Sequence, residues 1–279
     1  MRPEEATRPC PHCAVTATTE QPGRTALGER AFRGPRCRRI CNERTGTPCK
    51  QVQAPTAVVL RVVLWRLHDK LRLRDVAEMF LERGCACTHE TVRDREARFA
   101  PLLAARLRAR RRGAGGSKWH ADGTDVRVDG RWCYLYRASD REGNPVDARL
   151  SMTRDRDAAQ RFFRQARDRA GGAPAQVTTA GHDAYPRATR EALGPEVGHR
   201  CSRSKNKLIE QDHRALKQRY DPMRGCGTFT AAARCCPAFE EQRQYFRPVA
   251  RSGEAVSLAD RRRVFRERWA AVVAEVAAA

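Results

Sequence analysis

Two runs of alternating side chains, K-W-H-A-D-G-T-D-V-R-V and R-W-C-Y-L-Y-R-A, meet at Asp129-Gly130. Apolar or aromatic residues recur at Trp119, Ala121, Val126, Val128, Trp132, Tyr134 and Tyr136. A period of two predicts half-buried strands, and Asp-Gly between them is the strongest short-range hairpin signal. The pairing fixes which side chains share a face, so it limits the chain to folds built on an antiparallel pair. Asp122 sits inside the first strand, where carboxylates are disfavoured. Downstream, N-K-L-I-E-Q-D-H-R-A-L-K-Q-R-Y reads as a helix carrying Glu210, with Lys217 two turns further on the same face. A strand acid, a helix acid and a base suit a metal-ion site worked on a phosphate backbone.

The order of elements after the hairpin narrows the fold further. Glu142-Gly143-Asn144 turns into a third strand, Val146 to Met152. Arg156 to Ala170 is expected as a helix with Ala158, Ala159, Phe162, Phe163 and Ala166 inward. A short strand Gln176 to Thr179, a helix Ala184 to Leu193 and a strand Val197 to Cys201 precede the helix of Glu210. Three antiparallel strands followed by α-β-α-β-α is the order of an RNase H-like α/β fold, a mixed sheet covered by helices. This domain is placed at residues 117–248.

Upstream, residues 51–112 read as an all-α domain. Apolar spacing gives a buried helix from Thr56 to Leu67, then a second containing Leu73, Val76, Ala77 and Phe80 with Gly84 as its stop. Thr88 caps a third, expected to end before Pro101. Two short helices after a leading one suggest a helix-turn-helix, with Thr88, His89, Thr91 and Arg93 at the start of the recognition helix. A trihelical bundle without DNA contact is the plainer alternative. Between Val92 and Phe99 the core position that periodicity demands is held by Arg95 and Glu96. Gly113 to Ser117 reads as a flexible joint.

Residues 1–50 are short of apolar residues and contain Cys10-Pro-His-Cys13, with Cys37 and Cys41 following. Two close pairs match a structural zinc site, a zinc-ribbon-like knuckle able to fold a segment too small for its own core. The second pair is spaced C-x-x-x-C; a zinc ribbon would place a Cys at position 34, which is Gly34. Either Cys41 substitutes, or His12 does, or the knuckle binds nothing. Residues 249–279 form a tail whose last part is an amphipathic helix with Leu258, Val264, Phe265, Trp269 and Val272 or Val273 in a stripe. It is expected to pack on the sheet domain or on a second subunit, or to be an appended piece.

Charge indicates the partner. Among 279 residues, 55 Lys+Arg against 33 Asp+Glu leave +22, the footprint of a polyanion such as nucleic acid. No apolar run approaches the ~20 residues of a membrane span, and the N-terminus carries no apolar segment of a secretory signal. A cytoplasmic protein is expected, its twelve cysteines reduced.

Trp119-x-x-Asp122, R-W-x-Y-L-Y-R-A, T-T-x-G-H-D-A-Y-P, H-R-C-S-R, E-Q-D-H-R-x-x-K-x-R-Y and P-M-R-G occur in order. Together they resemble a bacterial insertion-sequence DDE transposase of the IS-six (IS-240) type, over roughly Phe32 to Pro248. The resemblance implies metal-dependent cleavage and transfer of DNA strands. Three carboxylates would hold Mg²⁺ (or Mn²⁺), and the partners would be terminal inverted repeats, target DNA and further copies of the chain. Asp122 matches the first acid and Glu210 the third; Arg214, Lys217 and Arg219 fall in the motif expected at DNA phosphate. The second acid is absent. Where the family reads T-T-D-G-H-D this chain reads T-T-A-G-H-D, so Ala180 holds the position and Asp183 is a possible substitute. D-E-T-Y likewise reads D-G-T-D, giving Gly123 and Asp125, and Cys41, Cys49 and Cys226 replace apolar residues. The resemblance therefore implies a transposase impaired in catalysis; the alternative is a non-catalytic DNA-binding regulator or an inactive relic.

Overall fold

A computed structural model describes residues 9–69, 71–110, 116–202, 204–221, 225–247 and 256–278. In chain order the elements are β1 (Thr19–Arg24), β2 (Arg30–Arg33), β3 (Ile40–Asn42), α1 (Thr56–His68), α2 (Leu73–Leu81) and α3 (His89–Ala109). There follow β4 (Lys118–Val128), β5 (Arg131–Asp140), β6 (Pro145–Ser151), α4 (Arg156–Ala170), β7 (Gln176–Thr179) and α5 (Ala184–Leu193). The last are β8 (Gly198–Cys201), α6 (Lys207–Tyr220), α7 (Phe229–Phe246) and α8 (Leu258–Ala278). The joints expected after residue 112 and after residue 248 lie largely outside the described residues.

The chain forms two compact units, residues 1–61 with 248–279, and residues 62–247. In the first, β1, β2 and β3 make a small antiparallel sheet in that order. Phe32 of β2 lies opposite Cys41 of β3, and both are buried. The tail belongs to this unit: Arg61 stacks its guanidinium 4.3 Å from the Trp269 ring centroid, and Val272 and Val276 are buried. Leu258, assigned to its apolar stripe, is 82% exposed.

The second unit is built on a five-stranded sheet ordered β6-β5-β4-β7-β8. β4 pairs antiparallel with β5, and Asp129 and Gly130 both take positive φ, 48° and 75°. That geometry matches the twist of the flanking strands. β5 pairs antiparallel with β6, while β7 and β8 run parallel to β4. A mixed sheet with helices packed on it fits the RNase H-like order expected from the sequence.

Trp119, Ala121, Tyr136 and Ala138 point to one face. There they pack on Phe162 and Phe163 of α4 and on Tyr185 and Ala188 of α5. Tyr136 stacks on Phe162 at 5.8 Å. The Asp155 carboxylate accepts the Ala158 N–H at 2.7 Å and caps α4, and Gly171 ends it at φ 79°. Trp132 departs from the alternation. It lies 61% exposed beyond the hairpin turn, with Arg127 stacked on it.

Two helices differ from expectation. α3 does not stop before Pro101 but runs on to Ala109. Proline in a helix interior costs ~3 kcal/mol. Here its ring faces solvent, while Phe99, Ala100, Leu103, Ala104 and Leu107 are buried on the other side. α7 was not foreseen. It packs on α3 and β6 and buries Cys235, Cys236, Ala238, Phe239 and Gln242 despite its own internal Pro237. The core gap beside Val92 and Phe99 is filled by an ion pair. Arg66 of α1 donates to Glu96 of α3 at 2.9 Å, with both side chains almost fully buried, and donates also to the Leu71 carbonyl at 2.9 Å.

Candidate active site

Asp122 lies opposite Arg137 in the β4–β5 register, so both side chains project from the face that α6 and α7 cover. Glu240 of α7 accepts from Arg137 at 2.5 Å on that face. The parallel register of β4 and β7 ends at Ala121 and Thr179. Asp122, still inside β4, and Ala180, the first residue after β7, therefore follow the last pair at the same level. An acid at position 180 would stand next to Asp122, one strand spacing (~4.8 Å) away.

Glu210 arrives from the third side. Asn206 donates through its side chain to the Ala121 carbonyl at 3.2 Å, which ties the start of α6 to the strand residue just before Asp122. Ile209, His213, Leu216 and Tyr220 turn inward. Glu210, Arg214 and Lys217 consequently form one exposed face. Arg219 does not join it. Its guanidinium donates to the His68 carbonyl at 3.1 Å and to Ala215 at 3.1 Å, and stacks on Phe239 at 5.3 Å.

Burial raises the pKa of Asp122; the Gly123 N–H, which donates to its Oδ1 at 2.8 Å, and Arg154 pull the other way. Glu210 raises it further and His182 lowers it. The two acids thus sense one another across a shared site. Arg154 and His182 were not marked by sequence reasoning. His182 lies inside the quoted T-T-A-G-H-D motif, whereas nothing in the pattern marks Arg154, which lies in the loop before α4 and reaches Asp125 at 3.8 Å. Gly123 lets Tyr185 close in: a Cβ there would stand 3.1 Å from the Tyr185 hydroxyl. Deeper, His213 is buried and pushed down to about 3, first by desolvation and then by Arg137, Lys217 and Arg154. Its Nε2 has no hydrogen-bond partner among the described residues.

The donor set suits a single cation better than a pair. Mg²⁺ is commonly held by one or two carboxylates with water and phosphate oxygens completing its shell. Asp122 and Glu210 supply that much, and Ala180 supplies nothing. Asp183 is exposed at the start of α5, and among the described residues no three carboxylate or histidine ligand atoms here lie within 4.8 Å of one another.

Three side chains do converge in the first unit. The sulfurs of Cys10, Cys13 and Cys37 lie within 4.8 Å of one another. Cys41, expected as a fourth ligand, is outside this group and lies buried opposite Phe32 in the small sheet. His12 is exposed and also outside. The expected recognition residues sit at the start of α3. Thr88 accepts the Thr91 N–H at 3.2 Å. His89 and Arg93 line a cleft of about 710 Å³ together with Arg72, Arg74 and Arg234.

A mixed sheet with one acid on its first strand and another on the helix after its last has the layout of a DDE domain. Residues 116–248 match a family model described as a DDE domain, of the IS240 type. The transposase for insertion sequence-like element IS431mec of Staphylococcus aureus strain Mu50 is 34% identical over 170 residues, 58% of this chain and 73% of that protein. The transposase for insertion sequence element IS257 in transposon Tn4003, also of Staphylococcus aureus, is 33% identical over the same shares. A cryo-EM structure of the simian T-cell lymphotropic virus intasome with PP2A regulatory subunit B56 gamma matches 56% of each chain. At TM-score 0.39 and 14% identity, that likeness is too loose to bear on the argument. The chain belongs to the family of insertion-sequence DDE transposases of the IS-six (IS-240) type. Such domains use divalent metal ions. No described helix is long and apolar enough to cross a membrane.

Proposed function

We propose that this protein binds the ends of an insertion sequence as a DDE transposase, and that its strand cleavage and transfer are impaired at Ala180. The observation that supports the reading is the β4–β7 register, whose last pair is Ala121 with Thr179, so that Ala180 follows Thr179 as Asp122 follows Ala121. Bound Mg²⁺ (or Mn²⁺) would activate the attacking oxygen and stabilise the leaving one on the DNA backbone. Asp122 and Glu210 would hold that ion. Arg214 and Lys217, on the same exposed face as Glu210, would bind flanking phosphates, and Asp183 is the residue best placed in sequence to stand in for the lost acid.

Recognition of the terminal inverted repeats falls to residues 51–112, through Thr88, His89, Thr91 and Arg93 at the start of α3. The cationic cleft beside His89 and Arg93 supports this, as does the +22 charge. Target DNA and further copies of the chain complete the assembly, in the bacterial cytoplasm at the nucleoid. Cys10, Cys13 and Cys37 add a thiolate cluster of the kind zinc takes.

A strand-transfer assay with Mg²⁺ or Mn²⁺, on DNA carrying the inverted repeats, tests the reading. The parent and Ala180→Asp are run together. Cutting by Ala180→Asp alone supports the proposal. Equal cutting by the parent refutes the assigned role of position 180. Silence from both refutes the claim that one lost ligand accounts for the defect.

A further inference from the structure

The two loops that bring the cysteine sulfurs together are copies of one another. In Cys10-Pro11-His12-Cys13-Ala14-Val15, the Ala14 N–H donates to the Cys10 carbonyl at 2.8 Å and the Cys10 N–H to the Val15 carbonyl at 2.9 Å. In Gly34-Pro35-Arg36-Cys37-Arg38-Arg39, the Arg38 N–H donates to the Gly34 carbonyl at 2.9 Å and the Gly34 N–H to the Arg39 carbonyl at 3.0 Å. The fifth residue of each loop is left-handed, Ala14 at φ 57° and Arg38 at φ 54°. Cys13 corresponds to Cys37 and Cys10 to Gly34. The backbone is thus built for four ligands, and the chain supplies three.

The sulfurs are spaced for a metal. Cys10 and Cys37 Sγ are 3.6 Å apart. Two thiolates on a tetrahedral ion with bonds of ~2.3 Å would stand ~3.8 Å apart. They also lean into the space that a fourth side chain would use: a Cβ on Gly34 would meet Cys10 Sγ at 2.6 Å and Cys37 Sγ at 2.7 Å.

We infer that Cys10, Cys13 and Cys37 form a three-thiolate site for a thiophilic divalent cation of the zinc class, whose fourth position, at Gly34, is left to an exchangeable non-protein ligand. The inference rests on the thiolate-cluster reading of the first unit and is independent of the DNA chemistry. Three soft thiolates select such ions over Mg²⁺. A position without a protein ligand takes water or a small thiol, as the open position of a catalytic zinc site does.

The test uses the full-length chain, freed of metal and titrated with Co²⁺, whose thiolate charge-transfer and ligand-field bands report ligand number. The parent is expected to bind one ion per chain with bands that shift when a small thiol is added. Gly34→Cys, whose Cβ displaces the same two sulfurs as an alanine methyl but adds a fourth thiolate, should bind at least about tenfold more tightly, a change of the size that a hydrogen-bond partner behind a ligand already commands, with bands insensitive to added thiol. Gly34→Ala, whose methyl group collides with two of the sulfurs, should bind more weakly than the parent. Cys37→Ser should lose the bands and Cys41→Ser should keep them. Loss of the bands in Cys41→Ser, no gain in Gly34→Cys, or a parent spectrum indifferent to thiol would each overturn the assignment. Circular dichroism of every variant distinguishes lost ligation from lost folding. Strand-transfer activity does not enter the readout, so failure here and failure of the transposase reading remain distinct.

Discussion

Glu96→Ala is expected to be among the most damaging single changes in the larger unit that leave its sheet intact. It strips the buried Arg66 guanidinium of its carboxylate and leaves it donating to the neutral Leu71 carbonyl at 2.9 Å. Both side chains are nearly closed to solvent, at 5% and 7% exposure, so water cannot replace the lost partner. With charge centres ~4 Å apart and an effective dielectric near 20, the attraction is ~4 kcal/mol. Removing one member of a buried pair costs ~3–5 kcal/mol. Set against a total stability of ~5–15 kcal/mol for a domain, that is a large share.

Replacing both members removes the uncompensated charge. Arg66→Met with Glu96→Leu fills the volume and supplies the apolar partner that Val92 and Phe99 lack, so the double variant should equal the parent or exceed it by ~1–4 kcal/mol. Urea unfolding followed by circular dichroism, with slopes compared to confirm that the same surface is exposed, measures all three proteins. A loss under ~1 kcal/mol in Glu96→Ala, or a double variant weaker than the single one, would refute the view that this pair replaces a missing core contact.

Three further outcomes follow from the same structure. His213 is held near 3 against about 6.5 unfolded, so the folded state binds fewer protons between those values. Its contribution is complete above pH 6.5 and is lost as pH falls toward 3, at up to ~1.4 kcal/mol per unit. His213→Gln should narrow its stability difference from the parent by roughly 2 kcal/mol between pH 7 and pH 5; a gap constant with pH would count against the burial argument. Lys217→Ala should weaken DNA binding across sequences and lower the salt slope of log affinity by about 1, and an unchanged slope in filter binding would remove Lys217 from the interface. Phe162→Ala, at the centre of the sheet–helix core, should cost ~3–5 kcal/mol in the same urea assay, and a much smaller loss would mean that the site collapses around the gap.

From β4 to α6 the structure follows the sequence nearly residue for residue, because signals of different kinds coincide there. Asp129-Gly130 sets the hairpin, Asp155 and Gly171 cap α4, and the inward residues of α4 recur at helical spacing. α7 leaves little mark in the sequence because its buried face mixes Ala and Cys with Glu240, Glu241 and Gln242 and the helix contains Pro237, so periodicity and propensity both run weak. Pro101 misled for the related reason that a breaker's penalty is local, whereas the packing that outweighs it is not. The same limit explains Glu96. The sequence exposed a gap in the core, but its partner, Arg66, lies on another helix and leaves no mark in the spacing. At the active site Asp122, Ala180 and Glu210 were legible through motif order, and Arg154 only in three dimensions. The cysteine cluster was half legible: spacing pointed to position 34, and the likeness of the two loops shows only in three dimensions.

The β4–β7 register ends at the pair Ala121 and Thr179, so position 180 follows the last paired residue of β7. A change from acid to methyl there alters neither that pairing nor the aromatic core beneath it. Cellular surveillance acts on exposed core and on unfolded chains, and this substitution gives it nothing to act on. Copies differing only at position 180 would accumulate to the same level, and the amount of protein in a cell would say nothing about how much of it can cut DNA.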